Sequence, residues 1–211
     1  MQIGKCYNMT VSVEMMKMKN TYSNAQYLHY MFTDCISLIR EGVKPSGLFT
    51  VWKYRIPEIK LESYLSNNKR FLEDGISYEI LKETPLYYLL FFYQKDMLTY
   101  KMKEYEASEL LTGYPVEEPL SQMLHFLRRR VQQFHLEEKD FPHEIGIFLG
   151  YPIWDVKGFI EHKGQDYRLC GYWKVYQDVE GAKKKFKEYD KIRMSALRQY
   201  CDEVKRNNHI K

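Results

Sequence analysis

"ISYEILKETPLYYLLFFY", residues 76–93, decides the fold. In its first half Ile76, Tyr78 and Ile80 alternate with Ser77 and Glu79, the two-residue period of a half-buried strand. Its second half, from Leu86 to Tyr93, is apolar throughout, which predicts a strand covered on both faces. Only Thr84 and Pro85 stand at the break between them, so the pair is expected to be a β-hairpin.

Outward from the hairpin, strands and helices alternate. Leu28, Met31, Phe32, Cys35 and Leu38 recur three and four apart and predict a helix over Ala25–Ile39, stopped by Gly42 and Pro45. "LFTVWKYRI", 48–56, is β-branched and aromatic enough for a strand, and a polar helix is expected from about Glu58 to Leu72. Helices fill 94–137; the best of them places Leu120, Met123, Leu124, Leu127, Val131 and Phe134 on one side. "EIGIFLG", 144–150, is expected to be a short strand, "YP" a turn, and "IWDVKGFIEHKG" a helix with Pro152 near its first turn. "YRLCGYWKVY", 167–176, reads as a further strand, and Val179–Val204 as a long amphipathic helix.

These elements imply one α+β or α/β domain, with a mixed, largely antiparallel sheet of about four to six strands flanked by helices. The domain is expected over 25–205, after a loosely attached extension at 1–24 with a short strand at Met9–Val13, and before a tail at 206–211.

The chain has 211 residues, 45% hydrophobic and 28% charged, an ordinary globular balance. The net charge of +4 comes from 32 basic and 28 acidic residues mixed along the same segments, which disfavours a dedicated nucleic-acid binder. No apolar run approaches the roughly 20 residues of a membrane helix, so a cytoplasmic protein with no membrane anchor is expected. The 16% aromatic content, 19 tyrosines included, is compatible with a homodimer.

The chemistry is less legible. No dinucleotide fingerprint, phosphate loop, nucleophile elbow or zinc-binding histidine pair is present; "HEIGI" at 143–147 starts like the last but has no second histidine. Cys6, Cys35, Cys170 and Cys201 are far apart, without a C-x-x-C pair, and read as free thiols. His143 and Glu144 are expected to point to opposite faces at a strand start. Arg128, Arg129 and Arg130 read as a solvated helix face, and the aromatics around Lys174 (Tyr172, Trp173, Tyr176) as a sheet face under a helix.

Two glycine-bearing turns are the best site candidates. "GVKPSG", 42–47, offers Lys44 and Ser46, and "GYPIWD", 150–155, offers Tyr151 and Asp155; together they suit a small anionic ligand. With His143, Glu144 and Lys174 these form the ligand-binding set of a non-catalytic binding or accessory protein for a small molecule or protein partner. The alternative is a redox or metal- or cofactor-dependent enzyme using Cys35, Cys170 or His143, with no cofactor specified.

The segment "DFPHEIGIFLGYPIWDVKGFIEHKGQDYRLCGYWKVYQDVEGAKKKFKEYDKIR", Asp140–Arg193, resembles the C-terminal block of an uncharacterised bacterial family, domain-of-unknown-function family 3793. "CISLIREGVKPSGLFTV", from Cys35, is similar to its N-terminal block. The resemblance covers about Ala25–Arg193 and implies no activity, cofactor or catalytic residue.

Overall fold

The computed structural model describes residues 23–56, 59–67, 75–106, 108–134 and 141–208. The expected strand at Met9–Val13 and nearly all of the expected extension lie outside them. In chain order the elements are α1 (Asn24–Arg40), β1 (Ser46–Trp52), α2 (Leu61–Asn67), β2 (Ile76–Glu83), β3 (Tyr87–Gln94), α3 (Lys95–Glu104) and α4 (Leu120–Gln133). There follow α5 (Ile145–Phe148), α6 (Ile153–Glu161), β4 (Leu169–Cys170), β5 (Lys174–Val175) and α7 (Val179–Asn208). Single 3-10 turns at Lys53–Arg55 and Glu109–Leu111 complete the described elements.

The hairpin at 76–93 forms as expected, and β3 is the middle strand of an antiparallel sheet ordered β1-β3-β2. Its alternate residues enter two cores. Leu90 and Phe92 pack with Leu28, Phe32 and Ile36 of α1, while Leu89 and Phe91 pack with helices α3, α4 and α5 through Leu98, Leu127 and Phe148. Burying side chains on both sides contributes roughly 1.5–3 kcal/mol for each large one. That is why this strand needs no polar face. The fold is α+β: one small antiparallel sheet between two helical layers.

Two readings of the sequence are corrected. Residues 145–148 form one helical turn rather than a strand. Ile145, Ile147, Phe148 and Leu149 are all buried, and a short apolar run satisfies a buried strand and a buried helix alike. Residues 167–176 form a two-stranded ribbon, in which Leu169 pairs with Val175 and Cys170 with Lys174 around the Gly171–Trp173 bend. The ribbon is separate from the main sheet, so among the described residues that sheet has three strands rather than four to six. β1 also ends at Trp52, four residues short of expectation, and α2 is described only over Leu61–Asn67, with both expected ends outside the described residues.

α1 and α5 close in the same way. Gly42 donates to the Ile39 carbonyl and Val43 to that of Leu38; Gly150 donates to Ile147 and Tyr151 to Gly146. Both glycines have positive φ, 68° and 73°, as this double-bonded helix stop requires. A proline follows each. The two stops pack together: a Cβ on Gly150 would lie 2.6 Å from Pro45 Cδ, and Ser46 donates to the Phe148 carbonyl at 2.6 Å. At Gly42 an added Cβ meets nothing within 4 Å. Gly42→Ala should therefore lose only the left-handed backbone penalty, about 1 kcal/mol in urea denaturation.

α7 runs along α1, with Leu197, Tyr200 and Val204 against Tyr30. The Arg193 guanidinium grips the Asp34 carboxylate with two bonds, 2.8 and 2.6 Å, a paired geometry that fixes the helices' register. The helix continues past the expected end at Val204 to Asn208.

Candidate functional site: a cavity between α5, α6 and the ribbon

Residues from one stretch, 141–174, enclose a partly open cavity of about 110 Å³. Phe141, Ile145, Leu149, Val156 and Phe159 supply apolar wall, and Trp173 closes the ribbon side. The lining also includes His143 and Lys174. Four of the residues expected to bind a ligand, His143, Tyr151, Asp155 and Lys174, line this space.

Their roles differ. Asp155 is buried and its carboxylate is occupied by protein donors: Oδ2 accepts from Trp173 Nε1 at 2.7 Å, and Oδ1 from the backbone NH groups of Tyr176 and Gln177 at 2.8 and 3.3 Å. It ties α6 to the ribbon and does not cap its own helix. Trp173, set by this bond, stacks on Tyr151 at 5.4 Å and meets Phe186 of α7 edge-on at 4.6 Å. The aromatic face around Lys174 is therefore covered by α7, as expected.

Lys174 donates to the Gly164 carbonyl at 2.5 Å and lies over the rings of Tyr167 and Phe159, 4.7 and 5.6 Å from their centroids. One carbonyl leaves two of its three ammonium protons for other acceptors. His143 meets Phe159 edge-on at 4.8 Å.

Glu144 is directed elsewhere. Preceding a helical turn rather than opening a strand, it is buried and accepts from the Tyr114 hydroxyl at 3.0 Å and from Arg130 Nε. The pairing draws Arg130 out of the otherwise solvated arginine triplet. Sequence reasoning missed this pair because the two charges stand on different elements.

Lys44 and Ser46 belong to the neighbouring helix stop. Ser46 is fully buried and spends its hydroxyl on Phe148. Lys44 is 9% exposed, with its ammonium 5.1 Å from the centroid of the Tyr151 ring; burial pulls its pKa down to about 8. The two turns singled out in the sequence do meet, but the cavity opens beside the second of them.

Burial first, and the Asp34 charge second, push the Cys35 thiol up to about 12, which removes thiolate chemistry near neutral pH. Cys170 is disulfide-bonded, while Cys35 holds a free thiol. The expectation of free thiols throughout is corrected at Cys170; spacing along the chain does not reveal a pairing that depends on distance in space. Among the described residues no group of three or more His, Cys, Asp or Glu side chains is arranged to hold a metal ion. Nor, among them, is any helix long and apolar enough to cross a membrane.

Fold and cavity together define an α+β protein with a small apolar pocket built on a helix stop and an aromatic ribbon. The chain belongs to the DUF3793 family of proteins of unknown function, whose profile matches residues 32–209. The match takes in the whole of α6, the ribbon and α7. No curated protein and no solved structure matches the chain.

Proposed function

We propose that the chain is a binding protein for a small acid whose apolar part, a single ring or short aliphatic tail, enters the cavity. The observation that carries this reading is the cavity's composition: apolar and aromatic walls with Lys174 and His143 among the lining residues. Pockets that select small molecules share this make-up, with few polar groups setting orientation. Size sets the class. A cavity of about 110 Å³ is somewhat below the ~150 Å³ void that admits benzene, so the ligand leaves part of itself at the open side. The lysine among the lining residues favours an anionic tip, through charge-assisted bonds.

The test is fluorine NMR with 4-fluorobenzoate as the probe, and fluorobenzene as its neutral counterpart. The expected result is saturable binding of the acid, weakened about tenfold by Lys174→Met, equivalent to about 1.4 kcal/mol. Fluorobenzene should be indifferent to that substitution. Equal binding of the acid to both proteins, or none to either, would sink the proposal.

A further inference from the structure

Lys44 is a buried residue, 9% exposed, and among the described residues its ammonium has no counter-ion. Among the described residues no oxygen accepts a hydrogen bond from it, and it faces the Tyr151 ring, 5.1 Å from the centroid. The groups around it come from three parts of the fold. Cys35 and Asp34 stand on α1, Arg193 and Tyr189 on α7, and Tyr151 follows α5; electrostatic coupling links Lys44 with Cys35 and Arg193, and Cys35 with Asp34 and Tyr151. Asp34 is the carboxylate of this group, and both its oxygens are taken by Arg193. Tyr189 spends its hydroxyl proton on the Val43 carbonyl. Arg193 is thus paired with Asp34, and Glu188, the other carboxylate in reach, acts on Tyr189; among the described residues Lys44 is left without an acidic partner of its own.

We infer that Lys44 is the anchor of a second site, distinct from the cavity, which takes a small monovalent anion of the size of chloride or formate. A buried charge is tolerated when it is paired. Arg193 adds to the positive potential without competing for the ligand, because its own counter-ion is in place. The Tyr151 ring supplies partial compensation to the ammonium alone, leaving its protons for an incoming acceptor. Size is limited by the surroundings, since Lys44 is nine-tenths buried and its ammonium faces the Tyr151 ring.

The experiment compares sodium chloride with sodium gluconate, whose anion is too bulky to enter, at equal ionic strength and pH 7. The thermal midpoint of the wild-type protein is expected to rise with chloride relative to gluconate, since a ligand of the folded state alone stabilises it. Lys44→Met should abolish the difference, and Lys174→Met should retain it. The second variant separates this site from the cavity, so failure of one proposal leaves the other standing. A chloride response that survives Lys44→Met, or is absent from the wild type, overturns the inference. A second reading needs no variant: carbon NMR of the Lys44 ε-position should show its titration midpoint moving upward in chloride, and an unchanged midpoint would also overturn it.

Discussion

Asp155→Ala is expected to lower the unfolding free energy by about 4 kcal/mol, from the roughly 1–3 kcal/mol cost of each buried donor left without an acceptor. The carboxylate receives Trp173 Nε1 and two backbone NH groups, and the indole is only 7% exposed. Gln177 is exposed, so water replaces part of what its NH loses; the Trp173 and Tyr176 donors carry most of the effect. For a chain of this size the change corresponds to a fall of roughly 10 °C in Tm. Asp155→Asn should recover less than half of the loss, because its amide presents a donor where one of the oxygens accepted. The measurement is urea denaturation followed by far-UV circular dichroism, with near-UV signal reporting Trp173. A loss below about 1 kcal/mol would mean that the ribbon is held by Phe186 and Tyr151 packing alone, and Asp155 would return to the list of groups free to meet a ligand.

Asp155 also shows where legibility from sequence ends. Elements with one dominant period were readable: the uniform apolarity of β3 reports burial on both faces, and the spacing from Ala182 to Val204 reports the face that α7 lays on α1 and the ribbon. Helix stops were readable too, because Gly42 and Pro45 announce a backbone geometry rather than a neighbour. Residues 145–149 failed for lack of length, since a single helical turn shows no more than one period. The site was half legible. Its residues lie in one stretch, 141–174, and four were singled out by type. Which carboxylate is spent internally was not readable: Asp155 meets donors 18 to 22 positions away and Glu144 meets Arg130 14 positions back. Those distances are set by how α6 and the ribbon pack, which no local pattern encodes.

Lys44→Met is expected to stabilise the protein at pH 7 by about 2–3 kcal/mol, and the gain should shrink as the pH is raised. In the unfolded chain the amine has its ordinary value of 10.5; in the fold, burial pulls it down to about 8. At pH 7 both states carry the charge, and folding bears the full cost of burying it. Above about pH 8 the folded chain gives up the proton first, so the unfolded state binds more protons and wild-type stability rises with pH. The rise ends near 10.5, where both states are neutral. A separation of about 2.5 units corresponds to about 3 kcal/mol, offset in part by the ammonium's attraction to the Tyr151 ring. Cys35 acts with the opposite sign. Its thiol ionises near 9.0 when unfolded and near 12 when folded, so stability falls with pH between those values. The clean window is therefore pH 8 to 9, where the difference between the two proteins should close by about 1 kcal/mol. Gluconate is the salt to use, because chloride bound at Lys44 would hold the proton on and delay the closure. A stability difference that stays flat from pH 7 to 9 would place the ammonium in water and remove the buried charge on which the anion site rests.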